Sequence, residues 1–303
     1  MKRIVYLILL VLIIISCEKE VDIPIEYTQP KLVVNGLFNT DSLWNIEVSA
    51  SKYIFDATAI PLINDAQVTV TNSGGNSILL TNQGNGIYTS LTEKPEPGEV
   101  YTLDVSHSDY DNVRASNQLP GEIVILNIDW LQQAYVDGEL YRRINITFQD
   151  SPNNDYYLVR IKGAFWHVIF DPISGLKDSI LAVSPMYFFS QNAAVENSNS
   201  KEHRMSVSFT DEIFNGNQYT IGLLLSEYYF TGEDGKEEEV QTIYLSMSKI
   251  SEEYYWYETS YQAYISAQDG KLFAQPVQVY TNIENGLGIF AGYSAQADSI
   301  IIE

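Results

Sequence analysis

The chain is poor in cysteine, in positive charge and in histidine. Its 303 residues include one cysteine, Cys17, which excludes an internal disulfide and leaves stability to the hydrophobic cores. Lysine and arginine number 17 against 39 aspartates and glutamates, a formal charge of −22. So acidic a surface repels phosphate backbones, and no nucleic acid is expected as a partner. The three histidines, His107, His167 and His203, lie far apart, and none has a second histidine at metal-ligand spacing. His107 has Asp104, Asp109 and Asp111 close by. Oxygen ligands suit a hard cation, but the spacing matches no calcium loop, and a solvated turn is the simpler reading. His167 falls inside an apolar and aromatic run and reads as structural. There is no Gly-x-Ser-x-Gly elbow and no glycine-rich phosphate loop with its lysine. Among so many carboxylates, glycosidase-like pairs arise by chance and cannot be picked out by counting. No catalytic residue, cofactor or metal ligand is assigned.

What is present begins at the amino terminus. Lys2 and Arg3 precede an unbroken apolar run from Ile4 to Ile15, followed by Ser16-Cys17. The run fits a secretory h-region and is shorter than the roughly 20 residues that span a bilayer. Ile14, three before the cysteine, and small Ser16 before it resemble a bacterial lipobox. That resemblance implies cleavage after residue 16 and acylation of Cys17, each buried methylene contributing about 0.8 kcal/mol to anchoring. The alternatives are an uncleaved anchor helix or an ordinary signal peptide with a chance cysteine. Glu18, Lys19, Glu20 and Asp22 follow, interrupted by Val21. The cluster resembles the export signal that sends Bacteroidetes lipoproteins to the cell surface; a plain solvated linker would have a similar composition. Residues 17–30, with Pro24 and Pro30, read as a tether.

From residue 31 the pattern is short alternating runs separated by turns. Ile46-Glu47-Val48-Ser49, Ala66 to Thr71 and Val100 to Val105 alternate apolar and polar residues, as half-buried strands do. Asn72-Ser73-Gly74-Gly75 and Pro97-Gly98 are turn clusters. Residues 31–118 are therefore expected to form an immunoglobulin-like β-sandwich, without the paired cysteines of antibody domains. Leu119-Pro120-Gly121 marks a boundary, and residues 119–303 read as a larger antiparallel β domain. Its strands are expected over Ile123 to Trp130, Arg143 to Phe148, Tyr156 to Val168, Arg204 to Phe209, Tyr219 to Leu225, Thr242 to Met247, Val277 to Tyr280 and Ser299 to Ile302. Gly232 to Glu239 reads as an exposed hairpin tip.

One long helix stands out, at about 251–268. Ser251 is a suitable N-cap, and Glu252 and Glu253 favour the positive end of the helix dipole. Tyr254, Tyr257, Tyr261 and Tyr264 recur at three- and four-residue steps, which predicts one tyrosine face packed on a sheet.

The lipobox, the sandwich-like start, the tyrosine-rich helix and the segment with Asn282, Gly286, Leu287, Gly288 and Phe290, together with Asp150 ahead of Tyr156-Tyr157, carry a resemblance. They are similar to the Bacteroidetes lipoprotein family known as domain of unknown function 4249. Membership implies a lipid-anchored outer-membrane protein, often encoded near TonB-dependent transporters, and implies no reaction. The partners expected on that basis are the bilayer, through acylated Cys17, and a TonB-dependent barrel. Three functions are weighed: a non-catalytic binding or accessory component of such a transport system, an envelope assembly protein, and a polymer hydrolase, ranked in that order. The aromatic clusters Tyr187-Phe188-Phe189, Tyr228-Tyr229-Phe230 and Tyr254 to Tyr257 are contact surfaces on the first view and core on the plainer one. An exposed flat patch favours either of the first two functions, and a pocket with convergent carboxylates favours the third.

Overall fold

The computed structural model describes residues 28–53, 55–170, 177–196, 203–231, 240–268 and 277–302. The leader, Cys17 and 232–239 lie outside them. The described chain is mainly β, with 17 strands in three sheets. The first half supplies β1 (Leu32–Phe38), β2 (Asn45–Ala50), β3 (Gln67–Asn72), β4 (Ser77–Leu79), β5 (Thr81–Gly84), β6 (Ile87–Thr89), β7 (Val100–His107) and β8 (Tyr110–Gln118). The second supplies β9 (Val124–Val136), β10 (Glu139–Gln149), β11 (Tyr156–Phe170), β12 (Lys177–Pro185), β13 (Phe188–Phe189), β14 (Ser206–Thr210), β15 (Gln218–Ser226), β16 (Val240–Ile250) and β17 (Leu287–Ile301). Helix α1 (Tyr228–Thr231) is a single turn, and α2 (Glu252–Gln268) is the long helix.

A nine-stranded sheet, β12-β11-β16-β17-β1-β2-β6-β5 with β14 also on β11, runs through the whole molecule. Two four-stranded sheets pack on it. The sheet β4-β3-β7-β8 covers one end and β13-β15-β10-β9 the other. The alternation read from sequence sets the inward faces. Val68 and Val70 of β3 and Leu103 and Val105 of β7 meet Val34, Ile46 and Val48 in the first core. Ile144, Ile146 and Phe148 meet Val159, Ile161, Leu245 and Met247 in the second.

β17 joins the two ends, and it departs from the expected all-antiparallel arrangement. Its first half pairs with β1 in parallel, Val33 opposite Leu287 through Phe38 opposite Gly292. Its second half pairs antiparallel with β16, Tyr293 opposite Ile250 through Ile301 opposite Thr242. The first core thus contains Ile283 and Phe290, from the far end of the chain. The glycines of this segment serve close approach. Gly288 has φ +104°, and a Cβ there would lie 2.1 Å from the Val34 carbonyl oxygen. Asn282 Nδ2 donates to the Phe290 carbonyl at 2.7 Å and its Oδ1 accepts from Phe290 N at 3.0 Å, imitating a strand partner.

Ser251 caps α2 as expected, its Oγ accepting from Tyr254 N at 3.3 Å. The tyrosine face is narrower than its spacing predicts. Tyr254, Tyr255 and Glu258 are buried, seated against Leu158, Ile250, Ile289 and Ala291, whereas Tyr261 and Tyr264 are exposed. Burial is confined to the first turns of α2, which rest on the sheet. Val277 to Tyr280 does not form a strand. It runs along α2 instead, Tyr280 N donating to Ser260 Oγ at 2.8 Å. β9 runs past Trp130 to Val136 and turns at Asp137 (φ 51°) and Gly138 (φ 86°) into β10. Asp-Gly is the pair a two-residue type I′ hairpin favours.

Candidate functional site

The densest group of buried ionisable side chains lies at the end of the second core. Asp150 closes β10, Asp155 immediately precedes β11, Asp211 follows β14, and Lys249 lies near the end of β16. All four are buried, and one oxygen from each carboxylate lies within 4.8 Å of the others. The chain meets here because strand register brings three connections to one edge. Tyr157 pairs with Phe209 and with Lys249.

Every member is engaged. Tyr157 OH donates to Asp150 Oδ1, and Gly216 N donates to Asp150 Oδ2 at 2.7 Å. Lys249 Nζ forms an ion pair with Asp155 Oδ2 and donates to Ser151 Oγ at 3.0 Å. Ser151 Oγ in turn donates to Asp155. Asp155 N donates to Asp211 Oδ2 at 2.8 Å. Burial, with repulsion from Asp150 and Asp155, raises the Asp211 carboxyl above its ordinary value against the pull of that backbone bond. Burial and the bond to Asp150 push the Tyr157 phenol far up.

Three convergent carboxylates are a cation-binding chemistry, and here the Lys249 ammonium takes up that role. Calcium needs six to eight oxygens, whereas Asp150 and Asp211 are aimed at N–H and O–H donors. The Ser151–Lys249 contact is not a nucleophile with its base, because the lysine is the donor in it and is ion-paired. The cluster therefore pins the 150–155 turn, the 211–217 turn and β16 together over the aromatic stack of Phe148, Tyr157, Phe209 and Phe214. Asp150 and Tyr157 were visible in the sequence as marks of a resemblance. Asp211 and Lys249 were missed, and no local pattern announces them.

The histidine group does not assemble. His107 Nε2 bonds to Asp65 at 3.0 Å, and Asp104 pairs with Arg114 at 2.8 Å. His167, half-buried, stands opposite Ile180. Phe188 and Phe189 are core, and Tyr229 and Phe230 pack against it, while Tyr187, Tyr228 and Trp256 are exposed. Cys17, the expected lipid attachment, lies outside the described residues.

The surface feature is an apolar band on the outer face of the nine-stranded sheet. Val183 on β12 is opposite Ala164 on β11, which is opposite Thr242 on β16, which is opposite Ile301 on β17. Leu181 and Trp166 form the adjoining cross-strand pair, and Tyr244, next on the same face of β16, faces Lys162. Trp166, Leu181, Val183, Tyr244 and Ile301 are 42 to 74% exposed. α2 covers the same face farther along, at Leu158 and Arg160. Two of the cavities among the described residues, one lined by Trp256, Thr259, Ser260 and Tyr280, the other by Arg143, Asn145 and their neighbours, have no carboxylate in their lining.

Fold and surface define a β protein with two main cores, an internally satisfied ionic cluster and an apolar sheet face that no described residue covers. The chain belongs to the family described as "Domain of unknown function (DUF4249)", whose model matches residues 18–299. No curated protein matches it. Among solved structures, one titled "Biofilm associated protein - B domain" is similar over 88% of this chain and 85% of its own, at 9% identity and a TM-score of 0.19. That superposition is too loose to bear on fold or function.

Proposed function

We propose that the protein is a lipid-anchored outer-membrane protein, displayed at the cell surface through an acylated Cys17. In this reading it serves as a non-catalytic binding or accessory component of a TonB-dependent transport system. The observation that carries it is the apolar band of Trp166, Leu181, Val183, Tyr244 and Ile301. A cross-strand patch of this kind on a sheet face suits a protein partner, with aromatic anchors at its centre. The leader and its lipobox support the anchor. The buried acids argue against a hydrolase: the three aspartates are engaged inside the ionic cluster, Glu258 is engaged by Arg160 and Ser206, and two of the cavities among the described residues lack carboxylates.

The test is affinity purification from the native membrane in mild detergent, with mass spectrometry of what comes with the protein. A stoichiometric outer-membrane barrel is expected with the parent protein. It is expected to be lost in Cys17→Ala and in a folded Trp166→Glu/Tyr244→Glu variant. A lipidated parent protein that purifies alone would overturn the transporter assignment.

A further inference from the structure

The second core has another outer face, on the opposite side of the sandwich from the apolar band. Ile144, Ile146 and Phe148 of β10 and Ile221 and Leu223 of β15 are fully buried, so the alternate residues point away from the core. Register places Asn145 opposite Gly222 and Thr147 opposite Thr220. Of these, Asn145, Thr220 and Gly222 line a cavity of about 250 Å³ together with Arg143, Gln191, Asn192 and Leu224.

Four observations single it out. The first is the state of Arg143. Arg114, Arg142 and Arg160 each hold a carboxylate, but the Arg143 side chain has no ion pair or hydrogen bond among the described residues, in a chain with 39 acidic side chains. Asp129, opposite Asn145 on β9, instead accepts from Asn127 Nδ2 at 2.9 Å. The second is Gly222 in the middle of β15. Its φ is not positive, so the backbone does not require glycine; a Cβ there would sit 3.1 Å from Asn145 Oδ1, on the cavity floor. The third is the wall. Ser190 Oγ donates to the Gly222 carbonyl at 2.7 Å and Asn192 Nδ2 to the Thr220 carbonyl at 3.1 Å, which holds 190–192 beside β15 by side chains alone. The fourth is a bulge. The β10–β9 register shifts between Arg143 and Asn145, and Leu131 on the bulged strand has φ +53°. Bulges and left-handed non-glycine residues recur where a strand is bent to form a site.

We infer that this cavity binds the carboxylate of a small hydroxylated ligand, an acidic monosaccharide of the hexuronate type. A guanidinium presents a fork of donors that matches a carboxylate bidentately, which a lysine cannot do. Asn145 Oδ1 and the Gln191 amide have no donor or acceptor partner committed among the described residues, and they suit sugar hydroxyls, which both donate and accept. The volume lies below the roughly 300–1,000 Å³ of drug-sized sites, so it admits one ring rather than an oligomer. The site does not depend on the transporter assignment, and its test needs no membrane partner.

The experiment is calorimetric titration of the full-length protein in mild detergent with three probes: galacturonate, galactose and acetate. Galacturonate is expected to bind saturably. Galactose, which lacks the charge, and acetate, which lacks the ring, should each bind at least about tenfold more weakly, the scale of one lost charge-assisted hydrogen bond. Arg143→Gln and Gly222→Val should each abolish galacturonate binding, and Arg143→Lys should weaken it. Gln191→Ala, on an exposed loop, should weaken binding with the thermal midpoint unchanged, and it serves if the glycine variant fails to fold. Equal binding of galactose or of acetate would overturn the inference. So would the absence of saturable binding, or galacturonate binding that survives Arg143→Gln.

Discussion

Lys249 shows how much one side chain can be asked to hold. Among the described residues it is the only cation within the aspartate cluster, and it is itself buried. Removing one partner of a buried ion pair leaves a desolvated charge and costs about 3–5 kcal/mol, whereas removing both together costs far less. Lys249→Met should lower the unfolding free energy by about that amount, and Lys249→Met/Asp155→Asn should recover most of it, as urea denaturation would show. Asp211 adds a pH dependence. Its folded-state affinity for a proton is raised by burial first and by Asp150 and Asp155 next. The folded chain therefore binds this proton more tightly than the unfolded chain. The stability it contributes is full below the unfolded carboxylate value and is lost as pH rises through the folded one. Asp211→Asn keeps an acceptor for Asp155 N and removes that loss, so the variant should gain stability relative to the parent at neutral pH and show a flatter pH profile above pH 4. A gain confined to acid pH would refute this assignment. Little of the cluster was legible beforehand. Ser151 and Asp155 are near Asp150 in sequence, but Asp211 and Lys249 arrive only through strand pairing.

Helix α2 was the most legible element, because a cap, two first-turn glutamates and a tyrosine period are all local. Which face it buries was less so. Periodicity names every residue on a stripe, whereas burial depends on where the sheet beneath ends. The helix is also tied by Glu258, which accepts from Arg160 Nη2 at 2.9 Å and from Ser206 Oγ at 2.5 Å. Arg160 further donates to Tyr254 OH at 3.1 Å, and burial raises the Tyr254 phenol above its ordinary value. Glu258→Ala should cost about 1–3 kcal/mol, since Arg160 can rehydrate and Ser206 cannot. The loss should register as faster hydrogen exchange over 252–268 while β10 and β15 stay protected. Strands β4, β5, β8, β12 and β13 are not marked by the sequence pattern. They are short or edge segments with no clean alternation, and their pairing partners define them.

At the scale of the molecule, β17 decides the architecture. It brings Phe290 into the first core and is hydrogen-bonded to β1. Asn117, buried at the end of β8, accepts from Gly292 N at 2.8 Å and donates to Glu253 Oε2 on α2 at 2.5 Å, so the first sandwich, β17 and α2 meet at one side chain. Loss of a buried phenylalanine alone costs about 3–5 kcal/mol. A fragment of residues 28–118, which lacks Phe290 and the β17 edge, should therefore be unfolded by circular dichroism and amide dispersion. A peptide covering 282–294 should restore structure to it. A fragment that folds without the peptide would show that the first sandwich is self-sufficient.

The sequence by itself determined the local and composition-bound properties of this protein. These are the strand alternation, the capped helix, the absence of an internal disulfide, and the glycine-rich segment that helps carry the family resemblance. Each depends on a few neighbouring residues or on totals, which chain order preserves. Tertiary structure decided the rest: the parallel union of the first and last strands, the lysine among three aspartates, Arg143, unpaired among the described residues, above a glycine floor, and the apolar band left beyond α2. These join residues through hydrogen-bonding register across long separations, where a one-residue shift turns every side chain to the other face.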